Sequence, residues 1–276
     1  MLPTITETAW SYLKAAVLHT PLGQPLQSWY QRKKAIQGLR RWTPGDETAR
    51  RFYAQFVGPA DVCFDIGANR GTRTKIFRRL AAKVVAVEPQ RSCMEVLRGA
   101  YENDPQVTLV QAACGSAKGQ ASLRVCELDV LSSLSDEWIE AVGHSGRFAK
   151  GRWTKKEPCQ LVTLDDLIQT HGRPAFVKID VEGYELNVLK GLTGAVGSVS
   201  LEFTPECFDA AMGCVDHLRR LGLDEFNVSW GESFELAVDA WVSGEELSAI
   251  LSRYREDSVI TGDVYARQRV SSRAGS

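Results

Sequence analysis

Short apolar runs, each closed by an acid or a turn, punctuate this chain, and helix-period segments separate them. The first clear run is Val62 to Ile66, followed by the tight turn Gly67-Ala-Asn69-Arg-Gly71 and a helix-competent stretch, Lys75 to Leu80. Lys83 to Val87 repeats the pattern and ends in Glu88-Pro89; Ser92 to Tyr101 reads as a helix. Val107 to Val110 is a third strand, running into Gln111-Ala-Ala113-Cys-Gly115. Strand-helix-strand-helix-strand predicts the mononucleotide-binding half of a parallel sheet, with right-handed crossovers placing these strand ends on one edge.

The regularity then breaks. Gln120 to Cys126 alternates like an exposed strand, a helical turn surrounds Trp138, and His144 to Lys156 holds five basic residues and no acid. Pro158 to Thr163 predicts a strand and Leu164 to Thr170 a short helix. An excursion this long between sheet strands is usually functional. The sheet resumes at Ala175 to Asp180, followed by a helix over Tyr184 to Leu192 and a strand over Val199 to Phe203. An amphipathic helix, Phe208 to Leu221, a strand, Glu225 to Trp230, a capped helix from Ser243 to about Tyr254 and a last strand, Asp263 to Arg269, complete the series. Residues 271–276 read as a flexible tail.

Ahead of the sheet, residues 1–44 stand apart as a helical appendage, with short helices broken at Pro21 and Pro25. Thr43, three residues before Asp46, caps a further helix that Gly58-Pro59 ends. Up to residue 60, eight basic residues stand against three acidic ones in a chain whose net charge is -1. A basic segment carrying Trp10, Trp29 and Trp42 can lie on an anionic membrane surface. The favoured reading is simpler: the segment packs on the main domain, with tryptophans buried and arginines solvated.

Charge and composition narrow the function. The near-zero net charge excludes a generally basic nucleic-acid binder. Seven scattered cysteines form no CxxC pair, which argues against zinc and for a reducing, cytoplasmic setting. No apolar run approaches the roughly 20 residues that span a bilayer.

Four predicted strands end in carboxylates at one edge: Asp65, Glu88, Asp180 with Glu182, and Glu202. Ligands of open α/β sheets bind at that edge. The turn discriminates between them. A dinucleotide fingerprint needs glycine at its first, third and sixth positions, and here those are Gly67, Asn69 and Thr72. Asn69 obstructs the close approach of a pyrophosphate. Glu88, about 20 residues on, sits where an acid takes a ribose hydroxyl pair. Adenosine without pyrophosphate satisfies both facts, and S-adenosylmethionine is the common cofactor of that kind. Asp65 is expected to face its methionine end, and Thr72, Arg73 and Thr74 to assist at its carboxylate.

Four blocks carry a closer resemblance: Phe64-Asp-Ile-Gly-Ala-Asn-Arg-Gly71, Val85-Ala-Val-Glu-Pro89, Val162-Thr-Leu-Asp-Asp-Leu167 and Val177-Lys-Ile-Asp-Val-Glu-Gly-Tyr-Glu185. Over residues 45–270 the chain resembles the FkbM family of S-adenosylmethionine-dependent methyltransferases. The resemblance implies a class I methyltransferase fold: a Rossmann-like, doubly wound, mostly parallel sheet of seven strands with the last antiparallel. It also implies O-methylation of sugars, glycolipids or secondary metabolites. Asp65, Gly67, Asn69, Gly71 and Glu88 match its cofactor positions, with Ala113 counted among them. Asp180 and Glu182 match its signature acids, Ser132-Ser133 its serine-rich loop, and Glu202 and Glu206 are weaker matches.

A sulfonium methyl is already activated, so the protein mainly aligns the acceptor and takes its proton. Asp180 is the first candidate base and Glu182 the second, although Glu182 would equally cap a helix beginning at Gly183. His144 ranks below both. A metal on Asp180, Glu182 and Asp165 or Asp166 is set aside, because no histidine accompanies them and Asp165-Asp166 read as helix caps. The loop's five cations suit an acidic or phosphate-bearing acceptor. NAD-linked oxidoreduction is disfavoured by Asn69 and Thr72. Nucleic-acid methylation lacks a target-base motif, and the intact acid pair argues against a non-catalytic binding protein.

Overall fold

Successive residues of a strand face opposite sides of its sheet, and the apolar runs of this chain use both sides. In the computed structural model, which describes residues 23–80, 83–257 and 259–269, the runs become β1 (Val62–Ile66), β2 (Lys83–Val87), β3 (Val107–Val110), β7 (Phe176–Ile179), β8 (Ser198–Phe203), β9 (Glu225–Trp230) and β10 (Gly262–Arg267). They form one seven-stranded sheet in the order β3-β2-β1-β7-β8-β10-β9. The pairs β1–β2, β2–β3, β1–β7 and β7–β8 are parallel, whereas β10 runs antiparallel to both β8 and β9. This is the class I arrangement implied by the resemblance.

Helices cover both faces. On one side Cys63, Val84 and Phe176 pack with α2 (Pro44–Tyr53), α3 (Thr72–Arg79) and α4 (Arg91–Tyr101). On the other, Phe64, Val85 and Val177 pack with α6 (Leu164–His171), α7 (Glu185–Leu189), α8 (Phe208–Arg220) and α9 (Gly244–Ser252). Thr43 and Asp46 form the capping box that starts α2, with Pro44 in its first turn. Between β3 and β7 lies the excursion: β4 (Ala113–Cys114), β5 (Gly119–Cys126), a 3₁₀ turn (Asp129–Leu131), α5 (Asp136–Ser145) and β6 (Trp153–Val162). Its strands form a second, three-stranded sheet in the order β4-β6-β5.

Three elements differ from expectation. Helix α1 (Gly23–Arg40) is continuous through Pro25, which falls in its first turn where no intrahelical N–H is required; Pro21 lies outside the described residues. The helix docks on α4 through an Arg32–Glu95 ion pair of 3.0 Å and through Ile36, which lies against Gly99. Trp29, expected inside, is 40% exposed under the Lys33 ammonium. Strand β6 begins five residues before Pro158, inside the basic run, because β4 reaches only Leu161 and Val162 and leaves Pro158 on a free edge, where proline is tolerated. Among the described residues no helix is long and apolar enough to cross a membrane.

Phe176 on β7 joins the sheet to the helices of its face. It is fully buried, stacks parallel to Phe56 at 5.3 Å and meets Phe77 edge-on at 5.7 Å. Truncating such a residue removes its transfer energy and leaves a cavity. Phe176→Ala is therefore expected to lower the unfolding free energy by about 3–5 kcal/mol in urea titration; a loss below about 1 kcal/mol would mean that the ring is not structural.

Candidate active site

Strand order reverses between β1 and β7, since the chain builds outward from β1 in one direction and later returns to continue in the other. Such a switch point opens a crevice beyond the carboxyl ends of the strands. Here the crevice is a cavity of about 280 Å³, lined by Gly67, Asn69 and Glu88 after β1 and β2 and by Asp180, Glu182 and Glu202 from β7 and β8.

The first group is built from backbone. The amides of Gly67 and Ala68 both donate to the Val87 carbonyl, at 2.9 and 3.0 Å. Gly67 has φ 79°, and a Cβ there would lie 1.8 Å from the carbonyl oxygen of Asp180. No other residue lets the ends of β1 and β7 approach this closely. Asn69 also adopts a left-handed conformation, φ 47°, and its side-chain oxygen accepts from the Arg70 amide at 2.7 Å. The buried Glu88 carboxylate accepts the Asn69 amide at 2.8 Å and the Gln90 amide at 2.7 Å. Burial outweighs those two bonds and pushes its pKa up to about 7.

The second group follows β7. Lys178, 1% exposed, places its ammonium 2.7 Å from Asp263 and 3.2 Å from Asp180. Burial would lower its pKa, but Asp180 and Asp263 raise it well above the ordinary value. Beyond Asp180 the chain turns through Glu182 at φ 54° and Gly183 at φ 86°. Three contacts hold that turn. Ser133 Oγ donates to the Glu182 carbonyl at 2.6 Å, Glu185 accepts the amides of Val181 and Gly183, and the Trp138 ring covers Gly183 so closely that a Cβ would meet it at 2.4 Å. The helix starts only at Glu185, with Tyr184 at its N-cap and no side-chain cap, so Glu182 does not cap it and instead lines the cavity. Burial, with Glu202 and Asp180 nearby, raises its pKa well above the usual carboxylate range; burial and Asp180 do the same for Glu202.

Of the residues expected at the site, the structure gathers Gly67, Asn69, Glu88, Ala113, Asp180, Glu182 and Glu202 around this cavity, and Ser132 with them. Asp65 and Gly71 lie behind it. Asp65 shares the Cys63 face of β1, is buried, accepts from the Thr74 hydroxyl and does not line the cavity. Gly71, at φ 90°, begins α3 and lies against Leu97 and Tyr101. Glu206 pairs with the buried Arg147 at 2.8 Å, and exposed His144 bonds its own helix. Asp166 completes a capping box with Thr163, and Asp165 accepts from Thr193, which removes both from any shared ligand set with Asp180. Arg73 binds Glu232 at 2.6 Å across the β9–α9 loop. Two cavity acids carried no sequence signal: Asp129, ion-paired with Arg70, sits in the 3₁₀ turn, and Glu232 in an irregular loop.

Residues 65–212 match the family described as the methyltransferase FkbM domain, more than half of the chain. The chain belongs to that family. It is thus a methyltransferase that uses S-adenosylmethionine. A hexuronic acid methyltransferase, AglP of Haloferax volcanii, is 27% identical over 198 residues, covering 69% of this chain and 76% of its own. Among solved structures, a precorrin-6y C5,15-methyltransferase from Geobacter metallireducens matches at 12% identity and TM-score 0.42, covering 81% of this chain and 88% of its own. A TehB-like methyltransferase from Corynebacterium glutamicum matches at 11% and 0.43, covering 88% and 100%. With TM-scores below 0.5, these two likenesses add nothing to the assignment.

Two outcomes follow from the cofactor end. Gly67→Ala is expected to drive the β1 and β7 ends apart and to abolish binding of S-adenosylmethionine in calorimetry; unchanged affinity would show that the close approach is dispensable. Asp65 is raised by burial to about 6, above its ordinary 3.8, and Glu88 to about 7, above its ordinary 4.5. A carboxyl whose pKa is higher folded than unfolded makes the folded chain bind more protons in that interval, so stability falls as pH rises through it. The cofactor-free protein should therefore lose unfolding free energy between about pH 4 and pH 7, the interval those two pKa pairs define. A curve rising steadily to pH 7 would contradict the assigned burial.

Proposed function

We propose that this methyltransferase moves the methyl group of S-adenosylmethionine onto a hydroxyl oxygen of a sugar, glycolipid or secondary metabolite, with residues 45–270 as the catalytic domain. The observation that carries this reading is the continuity of one cavity from the Gly67–Asn69–Glu88 turn to the Asp180–Glu182–Glu202 floor. The first group suits an adenosine, with Glu88 toward the ribose and Ala113 beside it. The second group presents Asp180, a proton acceptor of the kind that a hydroxyl nucleophile requires and a thiolate or carbanion does not. The name of the hexuronic acid methyltransferase supports a sugar acceptor.

In the proposed reaction the acceptor oxygen forms a bond to the methyl carbon as the carbon–sulfur bond breaks. The electron pair of that bond returns to sulfur, leaving S-adenosylhomocysteine, and the hydroxyl proton passes to a floor carboxylate. Alignment along the S–CH₃ axis supplies most of the rate. Asp180, anchored by Lys178, is assigned to orient the hydroxyl and accept its proton, with Glu182 beside it.

S-adenosylmethionine is expected to raise the melting temperature where NAD does not, and stabilisation by NAD alone would overturn the reading. With labelled cofactor and an acceptor panel of neutral sugars, uronic acids, nucleotide sugars and lipid extracts, the product should carry the label on oxygen. Asp180→Ala should cut transfer by about 10²–10⁴-fold, the range for a positioned acid–base group, and leave cofactor affinity within a few-fold. Full turnover in that variant would remove Asp180 from the chemistry.

A further inference from the structure

Three acids meet at the floor of the cavity with one ammonium, that of Lys178, beside them. Asp180, Glu182 and Glu202 each place one carboxylate oxygen so that all three lie within 4.8 Å of one another. Lys178 is already committed to Asp263 and Asp180. Oε2 of Glu182 is buried with no hydrogen-bond partner at all, although its residue lines the cavity. A buried carboxylate oxygen without a donor is costly, and in a native protein it calls for an explanation.

We propose that Asp180, Glu182 and Glu202 bind a divalent cation of the hard, oxygen-seeking class (Mg²⁺, Mn²⁺ or Ca²⁺), which presents the acceptor's oxygens to the methyl group. The proposal rests on the reading of this cavity as a methyl-transfer site. The donor set is all carboxylate oxygen, which selects hard cations over zinc or copper. The spacing fits as well. Two oxygens bound to one Ca²⁺ at roughly 2.4 Å are at most about 4.8 Å apart, and the three oxygens lie within that distance of one another; Mg²⁺, at roughly 2.1 Å, draws them to within about 4.2 Å. The ligands come from two adjacent parallel strands, β7 and β8, whose ends the sheet fixes, and the Glu182 turn is pinned by Ser133, Glu185 and Trp138. Little rearrangement is needed to form the site.

The cation resolves the charge problem at the floor. Three carboxylates alone would repel a uronate or phosphate-bearing sugar. With an ion among them, the same floor offers open coordination positions to a carboxylate or to neighbouring hydroxyls. A hydroxyl held there also gives up its proton more readily. The basic run of β6 is not needed for this, and Lys178 acts beneath the site by holding Asp180.

The test uses the full chain after treatment with a chelator, titrated with Mn²⁺ and followed by the loss of the free-ion electron paramagnetic resonance signal. One Mn²⁺ should be retained per chain, with Mg²⁺ or Ca²⁺ competing. Glu202→Gln and Glu182→Gln should each weaken retention at least tenfold, while Asp165→Asn, outside the site, leaves it unchanged. No retained Mn²⁺ in the unaltered chain overturns the proposal, whatever the variants do, and so does retention in both glutamine variants equal to that of the unaltered chain. Calorimetry with S-adenosylmethionine on the same samples separates the two readings. Cofactor binding without Mn²⁺ retention removes the cation and leaves the methyl-transfer reading intact. Mn²⁺ retention without cofactor binding overturns that reading, and the acceptor role of the cation with it.

Discussion

The contact on which the site depends is the approach of Gly67 to the carbonyl of Asp180, where a single added carbon would lie 1.8 Å from oxygen. It joins the ends of β1 and β7 at the point where the sheet changes direction. The turn after β1 and the end of β7 thus become one surface. Hydrogen bonds from Gly67 and Ala68 to Val87 extend the same junction to β2, whose next residue is Glu88. Three strands are locked together by backbone, so the side chains that do chemistry project from a base with little freedom.

Above that base the dominant issue is charge. Lys178 reaches the floor from the opposite face of β7, inside the aromatic core formed by Tyr53, Phe176 and Tyr265, and ties Asp180 to Asp263 on the antiparallel strand β10. A lone ammonium in such a core would be strongly disfavoured; flanked by two carboxylates it is retained as a fixed post. Glu182 and Glu202 receive no equivalent support, and burial raises the pKa of both. The floor is asymmetric: one acid is held rigidly by a cation, and two are under electrostatic tension.

Much of this was legible because sheet geometry repeats. Short apolar runs closed by acids or turns marked the strands of the main sheet, and carboxylates at their ends marked the edge where Glu88, Asp180 and Glu202 meet. Alternation of faces along β1 puts Asp65, two residues from Cys63, on the face that α3 covers, where it meets Thr74. Asp129 and Glu232 were illegible, because they reach the cavity from a 3₁₀ turn and an irregular loop, where neither period constrains direction. Glu185 shows a subtler limit. Its carboxylate binds the amides of Val181 and Gly183, ahead of the helix, and only the left-handed turn at Glu182 and Gly183 brings those amides to it. The exposed position of Trp29 on α1 was equally hidden, since a tryptophan among cations reads alike whether it faces inward or outward.

The excursion between β3 and β7 meets the catalytic floor at two narrow joints, the Trp138 ring on Gly183 and the Ser133 hydroxyl on the Glu182 carbonyl. Two ion pairs, Arg70–Asp129 and Arg147–Glu206, tie the wall to the rest of the fold elsewhere. The wall therefore shares in aiming Glu182: whatever shifts the small sheet also shifts the ring and the hydroxyl that hold the turn.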